Sequence, residues 1–165
     1  MLVGRPIFYI LPTEKAKSHP EIRTLGPDPL STATFHDDFP YRLRQNPGRT
    51  VASALLDQGI VAGLGNVLKC EILFSMRFAP CVRVGTLFAS QIDHLAGTIV
   101  GLAATATTFA VKNEKFPHRV YDRSGLPCTV CNAEIVADRS GEDGHLTWYC
   151  PACQPLGQEP LLFGP

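Results

Sequence analysis

Residues 55–66 decide the fold and read Leu55-Leu-Asp-Gln-Gly-Ile-Val-Ala-Gly-Leu-Gly-Asn66. An apolar helix that starts near Arg49 runs into this stretch. Gly63 and Gly65 predict a tight turn, because glycine adopts backbone conformations that other residues resist. Asn66 is then placed to cap a second apolar helix. The stretch therefore predicts two helices joined by a glycine turn.

A helix that begins after glycines can bind phosphate. Its first N–H groups and the positive end of its dipole face outward, and here Asn66 and Lys69 would add side-chain donors. Residues 37–85 carry six basic and four acidic side chains, which is only a mild positive excess. Two interpretations therefore stay open: a phosphate site, or an ordinary packing corner with a capping asparagine.

Four cysteines near the C-terminus have the spacing Cys-x2-Cys-x18-Cys-x2-Cys. A Cys-x2-Cys turn places two thiolates about one tetrahedral edge apart, and two such turns can close a four-sulfur site. No open ligand position is evident, so the expected metal is a single structural zinc ion. Its predicted ligands are Cys128, Cys131, Cys150 and Cys153.

The eighteen residues between the cysteine pairs predict a β-hairpin. Its strands are expected near 135–137 and 146–149, with a tip at 139–144. A zinc ribbon of this kind can bind DNA, RNA or protein, or only stabilise a terminus. The cysteines alone therefore leave the function open.

The bulk composition indicates a folded chain, and the two Cys-x-x-Cys pairs favour a reducing cytoplasm over a secreted disulfide framework. It has 165 residues, 45% of them apolar and 18% charged, and a formal net charge of zero. These values argue against a disordered chain and against a uniformly basic nucleic-acid binder. No uninterrupted apolar run reaches membrane-spanning length, although residues 92–111 come closest, and no signal peptide is evident. We therefore expect no membrane contact.

The remaining elements complete the expected fold class. Helices are predicted over about 37–45 and 89–108, and residues 1–13 look like strands that need partners from a larger sheet. The residues predict a mainly α fold with a C-terminal four-cysteine zinc β-hairpin, preceded by a short remnant of a larger sheet domain.

Five stretches follow one another along the chain at 25–30, 55–66, 71–74, 120–128 and 148–154. Together they span roughly residues 20–154 and resemble, in the same order, the formamidopyrimidine-DNA glycosylase / endonuclease VIII family.

The resemblance implies the C-terminal part of a base-excision-repair DNA glycosylase/AP lyase. Its implied divisions are a remnant of an N-terminal β-sandwich with a linker, a helix–two-turn–helix (H2TH) DNA-binding domain, a zinc finger and a tail, at 1–24, 25–119, 120–154 and 155–165. It also implies a monomeric, nucleoid-associated bacterial protein whose partner is double-stranded DNA with a damaged base or abasic site.

The resemblance also implies DNA-binding residues. Asn66 matches the family's asparagine at the turn that grips phosphates beside the lesion, with Gly63 and Gly65 forming that turn. His145 stands where the family usually has an arginine at the finger tip, and Arg139 is the nearest basic alternative. The finger is otherwise acidic, which weakens its attraction for phosphate. Its acidic residues are Glu134, Asp138, Glu142 and Asp143.

The family's chemistry belongs to its N-terminus, where a proline amine attacks the sugar and the next residue, a glutamate, handles protons. This chain begins Met1-Leu2-Val3, so we expect no catalytic residue in it. The short segment 109–119 is closer to the endonuclease VIII branch, which prefers oxidised pyrimidines. The alternative is a non-catalytic zinc-ribbon module that binds DNA or protein, and the acidic finger favours a protein partner.

Overall fold

The computed structural model describes residue 15 and residues 19–139, 142 and 144–156. The strands predicted for residues 1–13, and all but the first two residues of the predicted tail, lie outside the described residues. Among those described, the chain is mainly helical and ends in a small two-stranded sheet, as predicted. The helices are α1 (Pro20–Arg23), α2 (Thr32–Arg44), α3 (Val51–Leu56), α4 (Asn66–Ser75) and α5 (Ala89–Val111), with a 3-10 turn at Val84–Thr86; the strands are β1 (Val136–Asp138) and β2 (Thr147–Tyr149).

Helix α2 begins five residues earlier than the sequence predicts. Its buried stripe consists of Phe35, Phe39 and Leu43, all fully buried, at the four-residue spacing that keeps side chains on one helix face. The rings of Phe35 and Phe39 stack with centroids 5.3 Å apart. Pro40 lies inside the helix, where proline normally removes a hydrogen bond. The buried aromatic stripe outweighs that cost and extends the helix.

The connector at residues 25–30 packs against the turn between α3 and α4. Gly26 N–H donates to the Gln58 carbonyl at 2.7 Å, and Ala62 N–H donates to the Pro27 carbonyl at 3.1 Å. A Cβ atom on Gly26 would lie 2.6 Å from the Ile60 carbonyl carbon. Only glycine fits there, so the connector fixes the outer side of the turn.

Helix α5 is the longest element. It has 23 residues and contains an 18-residue window with a mean hydropathy of 1.4, which is sufficient, by length and composition only, for a membrane span. The long core helix of a soluble protein meets the same criterion, and α5 packs against α2 and α4. Its buried residues lie in the first two thirds of the helix and are Gln91, Ile92, Leu95, Ala96, Ile99 and Ala103. These contacts make it a core helix of this domain.

Helix α4 belongs to both hydrophobic clusters of the described structure. Ile72 and Leu73 pack into the larger cluster with α2, α3 and α5. Cys70 and Phe74 pack into the smaller cluster under the C-terminal hairpin, together with Ile135 and three of the paired cysteines. The two parts of the chain are therefore joined along one helix.

The predicted hairpin is present. Strands β1 and β2 pair antiparallel with Val136 opposite Tyr149, Ala137 opposite Trp148 and Asp138 opposite Thr147. A two-stranded sheet of this length is marginal by itself in water. The hairpin therefore depends on the cysteine cluster and on its contacts with α4.

Candidate nucleic-acid interface and metal centre

The turn before α4 is held by one side chain. Gln58 accepts a hydrogen bond from Gly63 N–H at 2.8 Å through Oε1 and donates to the Leu64 carbonyl at 2.9 Å through Nε2. Gly63 has φ +79°, a left-handed conformation that favours glycine. Sequence alone did not predict this role for Gln58; its position within residues 55–66 was the available signal.

Gly65 is not needed by the fold. Its φ is −119°, and a Cβ built on it meets nothing within 4 Å. It is exposed and immediately precedes α4, whose first N–H groups have no partner within the helix. The bare backbone therefore leaves room for a ligand atom to approach those N–H groups closely.

Asn66 does not cap α4 as predicted. Gly65 is the N-cap, without a side-chain cap, and Asn66 is the first helical residue. Its Nδ2 donates to the Leu146 carbonyl of the finger at 2.9 Å. The side chain turns to the finger because Leu146, entering β2, offers an acceptor beside the helix end. An amide nitrogen carries two hydrogens, and the Leu146 carbonyl accepts one of them.

Lys69 lies in the interior, not at the surface as expected of a DNA-contacting lysine. It is fully buried, and its Nζ donates to Thr147 Oγ1 at 2.8 Å. An ammonium group is rarely buried unless it is paired or hydrogen-bonded. In this conformation Lys69 connects α4 to β2 and does not reach the surface.

Glu71 and Gln154 complete the attachment of the finger, and neither was assigned a role from sequence. The Glu71 carboxylate is buried and accepts the backbone N–H groups of Arg119, Val120 and Tyr121 at 2.9–3.0 Å. Gln154 donates to the Phe78 carbonyl at 2.8 Å and accepts the Cys150 N–H at 3.1 Å. Both residues lie in stretches that resemble the family, 71–74 and 148–154, and this was the signal that sequence offered.

The four predicted cysteines form one cluster. Their Sγ atoms all lie within 4.8 Å of one another, with separations of 3.9 Å for Cys128–Cys153, 3.4 Å for Cys131–Cys150 and 3.5 Å for Cys131–Cys153. A tetrahedral zinc–sulfur site has an edge of about 3.8 Å. The donor set and its geometry fit a structural metal ion.

The electrostatics of the cluster also favour a cation. Burial raises the pKa of the Cys150 and Cys153 thiols. Burial acts in the same direction at Cys128, but backbone N–H groups, first that of Val130 and then that of Cys131, stabilise its thiolate and lower the pKa to about 7. The thiolate is the metal ligand, so a bound cation would offset the cost of burying these sulfurs.

The two predicted finger-tip residues lie next to different strands of the hairpin. His145 is exposed and adjoins Leu146, the residue that contacts Asn66. Arg139 is also exposed but follows β1, on the opposite strand of the hairpin. Gly63, Gly65, Asn66 and His145 therefore belong to one region.

The family model described as the formamidopyrimidine-DNA glycosylase H2TH domain matches residues 25–114, more than half of the chain. The chain belongs to the formamidopyrimidine-DNA glycosylase / endonuclease VIII family. A formamidopyrimidine-DNA glycosylase of Dinoroseobacter shibae is 34% identical over 155 residues, covering 86% of this chain and 54% of the relative. One from Cereibacter sphaeroides is 35% identical over 160 residues, covering 88% and 56%.

Solved glycosylase structures share the fold. The Lactococcus lactis formamidopyrimidine-DNA glycosylase bound non-covalently to DNA containing an AP site has a TM-score of 0.73 and 28% identity, covering 87% of this chain and 54% of that one. The Thermus thermophilus protein has a TM-score of 0.73 and 28% identity, covering 88% and 59%. The chain thus spans about half the length of these glycosylases and has the fold of their C-terminal region.

Proposed function

We propose that this chain is the DNA-binding part of a cytoplasmic base-excision-repair glycosylase and grips the sugar–phosphate backbone beside an abasic site or damaged base. The observation that carries the proposal is the exposed Gly63–Gly65 turn, which opens the N-terminus of α4 next to the finger. Phosphate binding at such a helix end follows from its N–H groups and dipole.

Asn66 would supply the side-chain part of this grip. One N–H of its amide holds the Leu146 carbonyl, and the second would donate to a phosphate oxygen. His145 and Arg139 would add donors from the finger. Lys69 would act indirectly, through its hydrogen bond to Thr147 in β2.

The metal in the cysteine cluster is proposed to be one structural zinc ion, held by Cys128, Cys131, Cys150 and Cys153. Zinc is suited to this role because it binds four thiolates in tetrahedral geometry and has no redox chemistry. It would hold the ends of the hairpin together and take no part in any reaction.

The lesion class and the catalytic residues stay predictions. The short segment 109–119 supports the endonuclease VIII branch, whereas the relatives described above are named formamidopyrimidine-DNA glycosylases. The expectation that this chain carries no catalytic residue is tested by borohydride trapping on abasic DNA. A covalent adduct on this chain would contradict it.

The binding proposal is tested with the purified chain and a duplex containing one abasic-site analogue. Loss of a hydrogen bond to a charged group costs roughly 1.5–3 kcal/mol, so Asn66→Ala is expected to weaken affinity at least about tenfold. Asn46→Ala is the matched control, because the Asn46 side chain donates to the Arg42 carbonyl in α2. Equal affinities for the two variants would contradict the phosphate grip. An intact chain without measurable DNA affinity would favour the protein-binding alternative.

A further inference from the structure

The finger tip makes a polar contact with the helical domain far from it in sequence. Glu142 Oε2 accepts the Thr50 backbone N–H at 3.0 Å, and Oε1 accepts Arg83 Nη1 at 3.0 Å. Thr50 and Arg83 are themselves adjacent, joined by a β-bridge. Both oxygens of one carboxylate are thus engaged by two donors on the helical side.

A cavity adjoins this contact, away from the hydrophobic cluster under the base of the hairpin. Its volume is about 320 Å³, and its lining includes Pro80, Cys81, Asp138 and Tyr149 together with the three contacting residues. Dispersion contacts are lost across an empty space. The position of Glu142 beside this cavity therefore depends on its hydrogen bonds.

The rest of the hairpin is fixed elsewhere. Asn66 holds Leu146 and Lys69 holds Thr147, so the base of the return strand is attached to α4. Glu142 lies four residues before Leu146, beyond these attachments. Without its contact, the tip could pivot about residues 146–147.

The electrostatics favour the ionised carboxylate in this place. The Thr50 N–H is the main cause of a lowered pKa at Glu142; burial opposes the shift, and the Arg83 charge adds to it. Arg83 is also oriented by a hydrogen bond to the Gly48 carbonyl. The donors are therefore held in position on the helical side before the carboxylate meets them.

We propose that Glu142 is a latch that holds the finger tip against the helical domain. The closed latch sets the positions of Arg139 and His145 on either side of the tip, and its opening releases the Thr50 N–H and Arg83 from the carboxylate, while Arg83 keeps its hydrogen bond to the Gly48 carbonyl. The latch is a property of the chain without DNA. Its consequence for DNA contact rests on the proposed function.

Trypsin tests the latch without DNA. Arg139 is the only Lys or Arg after Arg123, so cleavage after it gives a fragment of unique mass. Cleavage follows the population of the open form, and a partly exposed ion pair contributes modestly. In the zinc-loaded chain, Glu142→Gln is therefore expected to raise the cleavage rate after Arg139 roughly two- to fivefold relative to cleavage after Arg23.

Glu134→Gln is the matched control, since it removes the same charge from an exposed position of the same finger. Arg83→Gln is expected to raise the rate of cleavage after Arg139 as Glu142→Gln does, and Arg83→Lys to raise it less. The Glu142→Gln/Arg83→Gln double variant is expected to be cleaved little faster than either single variant. Amide exchange at Thr50 should also accelerate in Glu142→Gln, while that of Val51, bonded to the Val82 carbonyl at 2.8 Å, stays unchanged. Equal cleavage rates for Glu142→Gln and Glu134→Gln, or unchanged Thr50 exchange, would overturn the latch. A failure of DNA binding leaves these results unaffected.

Discussion

Glu71 shows how a buried charge can be made tolerable by backbone donors. Its carboxylate accepts three consecutive N–H groups and lies 3.5 Å from the Arg119 guanidinium. An isolated buried carboxylate would be strongly destabilising, but one with several donors organises the segment around it. Glu71 therefore fixes residues 119–121, where the chain passes from the helical domain into the finger.

Glu71→Gln tests this role. The glutamine amide has only one acceptor oxygen, and its NH2 group would lie against a backbone N–H that also needs an acceptor. We therefore expect a loss of about 2–3 kcal/mol in the free energy of unfolding. Urea denaturation measures it. Glu134→Gln, at an exposed position, is expected to change stability by less than about 0.5 kcal/mol. Similar losses for the two variants would contradict the assignment.

Asp57 links stability to pH. The hydrogen bond from the Arg49 side chain lowers the pKa of Asp57; burial opposes the shift, and the Gly59 N–H adds to it. A lowered folded-state pKa gives stability that is full above the unfolded value of 3.8 and is lost as pH falls through the folded value. The stability difference between the native chain and Asp57→Asn should therefore shrink below about pH 4.

The measurement is a series of urea midpoints for the two proteins at matched pH. Acid release of the metal affects both and cancels in the difference. A stability difference that stays constant from about pH 6 to about pH 3 would show that the ionised Asp57 carboxylate does not stabilise the fold.

At the scale of elements, local patterns predicted the helices and the hairpin, and distant partners explain what was missed. The glycine turn and the cysteine spacing are visible in the sequence, because turn chemistry and metal geometry are local. The predicted helix already included Pro40 and began at residue 37. Its earlier start at Thr32 depends on the burial of Phe35 and Phe39 against other elements, which local sequence does not show. Asn66 was assigned to a cap because its real partner, Leu146, is eighty residues away.

Distant partners also explain why the roles of polar side chains were missed. Lys69 resembles a surface cation in sequence, since nothing near it indicates the Thr147 hydroxyl that accepts its hydrogen bond. Glu142 resembles one more carboxylate of an acidic tip, although it contacts Thr50 and Arg83. Sequence predicted which elements form, and the structure shows which charges they bury or pair.

The finger should depend on its metal. Its two strands have three residues each, too few to persist alone. Cys150→Ser removes a fully buried ligand, so zinc content should fall from about one to near zero and the finger should unfold. Metal analysis measures the first effect. The fluorescence of Trp148, whose ring lies 4.6 Å from that of Tyr121, reports the second.

Cys81→Ser is the control, because Cys81 is exposed and lies outside the four-cysteine cluster. It should retain zinc and leave the emission unchanged. Native protein that purifies without zinc, or Cys150→Ser protein that retains it, would contradict the metal assignment.

At the scale of the whole molecule, α4 joins the structural and functional parts of the described chain. Its N-terminus opens at the glycine turn, its buried face enters both hydrophobic clusters, and its polar residues hold the finger. The four-cysteine cluster therefore influences the turn indirectly: it orders the hairpin, and the hairpin orders Asn66. Since the formal net charge is zero, the proposed DNA binding would depend on this local geometry more than on the overall field.

Gly65→Ala measures the central claim most directly, because it leaves the Asn66–Leu146 contact in place. The fold has space for the added methyl group, but the methyl would stand where a phosphate must approach the first N–H groups of α4. We predict unchanged unfolding stability and at least about tenfold weaker affinity for an abasic-site duplex, equivalent to about 1.4 kcal/mol. Gly101→Ala, on the exposed face of α5 with equal space, should bind as the native chain does. Native affinity in Gly65→Ala would contradict a phosphate site at this turn.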